Sequence, residues 1–230
     1  MKVALAIIFT LFTMILFSNI SYSNVFAIEI FLPDSKPYDV PYADWGEKYW
    51  KWFLAIPATS HPDNPDSGVS CDAGQKNSSS PVFYLTGGSD GTVKKCNVPQ
   101  GKSVLIMLSS MEASDKEFPG LSDEELIEAA RSDQDQLTSL SMTLDGKNYA
   151  MPQLLKYRTL TGIFDVIFGD PPMFGVSDPG PARAVSDNTF VITKPLEAGN
   201  HTVGFEGTLG DDVKQGHYNV NYELNVNNTL

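Results

Sequence analysis

Cysteine occurs only twice and histidine three times in this chain of 230 residues. Two thiols cannot build a four-cysteine zinc site or an iron–sulfur cluster. A blue-copper centre fails too, because after Cys96 the next histidine is His201 and the compact Cys/His/Met ligand loop is missing. Basic residues are scarce, 16 Lys and Arg against 28 Asp and Glu, for a net charge of −12. A chain this acidic lacks the positive footprint that displaces counterions from nucleic-acid phosphates, and it is repelled by anionic membrane surfaces. After residue 27 no apolar run is long enough to cross a bilayer.

The one long apolar run lies at the start. Lys2 precedes a nearly unbroken hydrophobic stretch over residues 3–17, and Val25-Phe26-Ala27 puts small residues at the two positions a signal peptidase reads. We expect residues 1–27 to be a signal peptide, cleaved after Ala27 or alternatively after Ser23. The competing reading, a retained N-terminal anchor, is weakened by Asn19 and Ser21, which interrupt the run before it spans. The mature chain, residues 28–230, is expected to be a secreted or cell-surface protein forming one domain. Export makes Cys71 and Cys96 an expected disulfide rather than a pair of thiols. Asn77, Asn200 and Asn227 each open a glycosylation sequon.

Hydrophobic periodicity then sets the expected elements. Trp45, Tyr49, Trp52, Phe53 and Ile56 recur at helical spacing, with Asp44 at the expected N-cap, Glu47 completing a capping-box-like pair and also pairing with Lys51, and Pro57 ending the helix. Residues 59–80 turn to Pro, Asp, Ser, Gly and Asn and read as a long loop. Ser122 with Glu125 is a second capping box, opening a short acidic helix to about Arg131. Everything else suggests strands. Residues 82–86 and 92–96 flank a Gly-rich turn and read as a hairpin; Asp145-Gly146 signals a type I′ hairpin. From Tyr218 to Val226 apolar and polar residues alternate strictly, the mark of a half-buried strand. The expected fold is mainly β: an antiparallel β-sandwich, Ig-like or jelly-roll-like, with a short Trp-rich N-terminal helix and one short acidic helix.

Motif matches fare poorly. Gly87-Gly88-Ser89-Asp90-Gly91 fits G-x-S-x-G, but a nucleophile elbow needs a helix after it and a strand follows here. Ser186-Asp187-Asn188 lacks the S-x-x-K and K-T-G partners of the penicillin-binding serine enzymes and reads as a turn. The loop segment from Asp63 fails the EF-hand pattern, with Pro65 at the third position and Gly74 at the twelfth. Asp63, Asp66 and Asp72 remain as a calcium candidate of another geometry, set against the plainer reading of a solvated acidic loop. No other cofactor is expected. Trp45 and Trp52 share a helix face and are expected to plug the sandwich; Trp50 projects elsewhere, and the candidate platform for a sugar ring that it would make if exposed is set against the preferred reading that it too is buried. His61, in the loop, and Glu112, expected just past the end of a strand over residues 103–109, complete the candidate ligand-binding residues.

Several segments together resemble a known group. Trp50-Lys51-Trp52, Ile56-Pro57, Asn64-Pro65, Cys71-Asp72-Ala73-Gly74-Gln75, residues 82–87, Cys96, Val98-Pro99-Gln100-Gly101-Lys102 and residues 195–202 occur in that order. This pattern resembles a group of exported archaeal and bacterial proteins with an Ig-like or jelly-roll-like β domain. The resemblance implies compartment and architecture and supplies no catalytic residue. The leading functional expectation is a non-enzymatic binding or structural role at the cell envelope, with a glycan or an envelope protein as partner. The alternatives are a glycan-binding module using Trp50 and the acidic loop, and a hydrolase pairing Glu112 with an Asp of that loop.

Overall fold

A computed structural model describes residues 28–75, 79–87, 93–210 and 216–227. The expected signal peptide, Asn77 and most of the Gly-rich turn after Gly87 lie outside the described residues. The chain is mainly β, with ten strands in two five-stranded sheets among the described residues. In chain order the strands are β1 (Val82–Leu85), β2 (Val93–Pro99), β3 (Ser103–Ser114), β4 (Leu137–Leu144), β5 (Lys147–Ala150), β6 (Arg158–Leu160), β7 (Phe164–Phe168), β8 (Gly180–Ile192), β9 (Gly199–Leu209) and β10 (His217–Asn227). The α-helices among the described residues include α1 (Tyr42–Ala55), α2 (Asp123–Gln134) and the single turn α3 (Met151–Leu154).

The first sheet runs β1-β3-β8-β6, with β7 also paired to β8; the second runs β2-β10-β9-β4-β5. Both are mixed, which corrects the expectation of purely antiparallel pairing. β1 lies parallel to β3, Val82 opposite Ser103, and β2 lies parallel to β10, Cys96 opposite Leu224. The hairpin expected between β1 and β2 therefore does not exist: the two strands belong to different sheets. The Asp145-Gly146 hairpin does form, with φ of 44° and 79° at its two central residues, as a type I′ turn requires. Along β10, Val220, Tyr222, Leu224 and Val226 are buried while their neighbours face outward. Buried residues of both sheets, among them Val104, Ile106 and Phe190 from one and Met142, Phe205 and Tyr222 from the other, join a single hydrophobic core.

The two long helices pack on opposite faces of β8. Successive strand residues point to opposite sides; Asn188 bonds Trp50 of α1, and Thr189 bonds Gln134 of α2. The Ser122 capping box holds in both directions, but α2 continues past Arg131 to Gln134, which is buried and also takes a bond from Ser109. α1 begins earlier than the sequence suggests. Pro41 presets its start, and Asp44 makes no cap; the Tyr42 hydroxyl instead accepts the backbone N–H of Ile192 at 3.0 Å, so the first turn is pinned to the core. Glu47 and Lys51 pair at 2.7 Å as expected, and Ile56, extended ahead of Pro57, closes the helix. No helix among the described residues is long and apolar enough to cross a membrane.

Candidate functional site

The aromatic residues of α1 sit above the middle of β3 and β8. Trp50 is only 6% exposed. Its indole Nε1 donates to Asn188 Oδ1 at 2.9 Å and to Ser110 Oγ at 3.1 Å; Ser110 Oγ in turn donates to Asn188 Oδ1, and Asn188 Nδ2 donates to Ser186 Oγ at 2.8 Å. Ser110 and Asn188 face each other across the strand pair, so one polar pad lies under the indole. This selects the buried reading of Trp50 over the sugar platform and corrects one further expectation. Trp50 is not a solvent-facing platform, because its N–H reaches a partner only by turning inward; Trp52 is instead the partly exposed tryptophan, resting against Tyr84 at 5.1 Å. Ser186-Asp187-Asn188 is no turn but the buried centre of β8, its three polar side chains each answered: Ser186 and Asn188 within the pad, Asp187 by a bidentate Arg158.

Beside this pad lies a cleft of about 290 Å³, walled by Trp50, Phe53, Leu108, Phe174, Phe205 and Tyr218. Phe174 comes from the connection between β7 and β8. That connection is fastened to the end of α1 by Gly169 N–H to Leu54 O and Ala58 N–H to Pro171 O. Phe174 and Gly175 both take left-handed backbone, φ 59° and 71°, which throws the Phe174 ring back over α1. There it stacks on Phe53 at 5.7 Å, 12° from coplanar, yet remains 52% exposed. The polar groups at the wall are occupied: the Tyr218 hydroxyl donates to Leu108 O at 2.8 Å, and Asp63 pairs with Lys94 of β2 at 3.2 Å. What the cleft offers a ligand is carbon.

His61 is fully buried against Phe53, 4.1 Å between ring centroids. Nε2 faces the Phe53 carbonyl at 3.2 Å, and Nδ1 accepts the Asp63 N–H at 3.1 Å, an arrangement that selects the neutral Nε2–H tautomer. Burial holds its pKa below the ordinary histidine range, against the pull of Asp63. With both nitrogens used, His61 shapes the loop rather than meeting a ligand.

The loop carboxylates do not come together. Asp63 turns to Lys94, Asp72 takes the Ser70 hydroxyl, and among the described residues no three His, Cys, Asp or Glu side chains converge as a metal group. The loop is tied down differently: Cys71 and Cys96 form a disulfide, Cα atoms 5.7 Å apart. Asn200 is exposed on β9 and Asn227 ends β10.

Glu112 lies within β3, opposite Ser186, not beyond a strand end, because β3 runs on to Ser114. Its partner is not a loop Asp but Glu117. Both Glu112 oxygens are enclosed, and the group hydrogen-bonded beside them is Glu117, which also accepts from Ser114 Oγ at 2.6 Å. Burial first, then the adjacent Glu117 carboxylate, holds Glu112 well above the usual carboxylate range. Because no solvent reaches its oxygens, Glu112 cannot protonate or attack a substrate in this conformation. Sequence reasoning missed the Asn188 pad, Phe174 and Glu117. The one signal for the pad was a polar triplet interrupting an otherwise strand-like run over residues 182–192.

No protein-family model matches the sequence, and no curated protein matches it. Among solved structures the chain has a faint likeness to PbICP-C from its complex with falcipain-2, at 11% identity and a TM-score of 0.23, covering 64% of this chain and 98% of that one. A likeness that slight carries no argument about fold or function.

Proposed function

We propose that this chain is an exported protein of the cell envelope or exterior, one sandwich-like domain over residues 28–230, that acts by binding rather than catalysis, through the aromatic cleft beside α1. The observation that carries this reading is the half-exposed Phe174 ring held over a carbon-lined cleft whose polar wall groups already have partners. Binding sites are typically concave and mostly apolar with a few placed polar groups, and about 290 Å³ stands at the lower edge of their ~300–1,000 Å³ range. A charged or polyhydroxylated ligand would lose water there without regaining hydrogen bonds. The fitting ligand is an uncharged ring, free or carried on a partner's side chain. The disulfide supports an oxidising compartment.

The test is titration of the mature chain with N-phenyl-1-naphthylamine, a neutral aromatic dye whose emission rises on leaving water. Saturable binding at one site per chain is expected, weakened at least about tenfold by Phe174→Ala, equivalent to ~1.4 kcal/mol. Absence of saturable binding, or equal affinity in the variant, would remove the cleft from consideration.

A further inference from the structure

The outward face of the second sheet carries a site that stands independently of the aromatic cleft. Two depressions of about 500 and 600 Å³ lie on it and share Thr202 and Glu223, so they join into one trough across β2, β10, β9 and β4. Its polar side chains are linked in order. Asn221 Nδ2 donates to Asn219 Oδ1 at 2.6 Å, Asn219 Nδ2 to Glu206 Oε2 at 3.2 Å, and Ser141 Oγ to Glu206 Oε1 at 3.3 Å. Gly204 lies in the floor between them. It pairs in register with Asn221 on one side and Thr143 on the other, so it marks no bulge, and its φ is not positive. A Cβ there would come 3.0 Å from Asn221 Oδ1, the end of a movable side chain, and 4.0 Å from the next atom. Neither backbone nor packing demands glycine at this position. A strand glycine with neither reason commonly marks where a ligand approaches the backbone.

We propose that this trough binds a neutral oligosaccharide chain. Carboxamides and hydroxyls each donate and accept, and the Glu206 carboxylate is a strong acceptor. That mixture suits a ligand whose every hydroxyl also donates and accepts. A sugar ring needs carbon surface as well, for its C–H side. Val93 supplies it: 52% exposed, it lies on β2 opposite Asn221 and lines the trough. An acidic polysaccharide is excluded by Glu206 and Glu223 in a chain of net charge −12, since Lys95 is already paired with Glu223 at 3.3 Å. An extended peptide binds by adding to a sheet edge, whereas this floor is β10 and β9, each of which already has a strand on both sides.

The test titrates the mature chain, made in a host that attaches no glycan to Asn200, with cellohexaose, maltohexaose and mannohexaose while backbone amide NMR shifts are followed. At least one sugar should saturate at one per chain with a Kd below about 1 mM, its shifts centred on Thr202, Gly204 and Asn221. Gly204→Thr puts a β-branched side chain into the floor, which suits a strand; it should melt within about 3 °C of wild type yet bind at least about tenfold more weakly. Asn219→Ala, an exposed change that leaves the core untouched, breaks the chain of hydrogen bonds and should weaken binding about fivefold, so the proposal stays testable if Gly204→Thr unfolds. Phe174→Ala should bind the sugar like wild type, which separates a failed trough from a failed cleft. The proposal is wrong if no hexasaccharide binds up to about tenfold above that Kd, or if both trough variants bind as wild type does. Shifts gathered at the aromatic cleft, or equal affinity for hexagalacturonate, an acidic chain of the same length, would overturn it too.

Discussion

Gln75 offers the sharpest check on how the loop is built into the sheet. β1 is an edge strand, and its outward backbone groups need partners. Gln75 supplies them from a single side chain. Its Oε1 accepts the Tyr84 N–H at 2.6 Å, and its Nε2 donates to Tyr84 O at 2.9 Å and to Cys71 O at 3.3 Å. The residue is only 3% exposed, so water cannot replace these bonds. Gln75→Met keeps the volume and removes the amide, leaving the N–H and C=O of Tyr84 buried and unpaired. At about 1–3 kcal/mol for each stranded group, the expected loss is about 2–6 kcal/mol. For a domain of this size that corresponds to a melting temperature lower by roughly 5–20 °C. Urea unfolding measures the energy, and hydrogen exchange at the Tyr84 amide, protected in wild type and open in the variant, locates it. Gln75→Glu keeps the acceptor but turns an oxygen toward Tyr84 O. A carboxyl there holds its proton more tightly folded than unfolded, so the variant should lose stability as pH rises and recover it on acidification. A loss below about 0.5 kcal/mol in Gln75→Met, with Tyr84 still protected, would refute the reasoning, since that is the scale of an ordinary surface change.

Three further outcomes are expected. Replacing both Cys71 and Cys96 by Ala opens a loop of 25-residue separation and should lower stability by about 3.5 kcal/mol on chain entropy; melts of wild type and variant that coincide under oxidising conditions would show the bond contributes nothing. A Cβ added at Gly169 would lie 2.7 Å from Pro57 N and 2.8 Å from Ala55 O, all backbone, so Gly169→Ala should cost about 1–3 kcal/mol by prising the β7–β8 connection off α1; unchanged urea unfolding would count against that docking. His61 is neutral when folded and protonates more readily when unfolded, so its contribution is complete above about pH 6.5 and falls away as pH drops toward its lowered folded pKa. The urea midpoint of wild type should therefore fall with acidification more steeply than that of His61→Gln; equal slopes would assign the effect to another group.

Local features of this chain are legible in its sequence. The Ser122–Glu125 box, the Glu47–Lys51 pair, the Asp145-Gly146 turn and the alternation along β10 are interactions between residues a few positions apart, and each forms as the spacing predicts. Pairing of distant segments is not legible in the same way. The β1–β2 hairpin looked sound locally, yet β1 is taken by β3 and β2 by β10, because alternation says which face is buried and not which strand lies alongside. The start of α1 shifted for a similar reason: Tyr42 finds its partner 150 residues away.

The candidate sites show the same division. Composition and periodicity alone establish an acidic, mainly β chain carrying an aromatic helix, since those properties depend on residue type and short-range order. Only the tertiary structure turned Trp50 inward onto Asn188, closed Phe174 over Phe53 and set Glu112 against Glu117 instead of a loop aspartate. Each of these depends on where the fold leaves a polar atom without water. Burial belongs to the assembled molecule, not to any stretch of chain read alone.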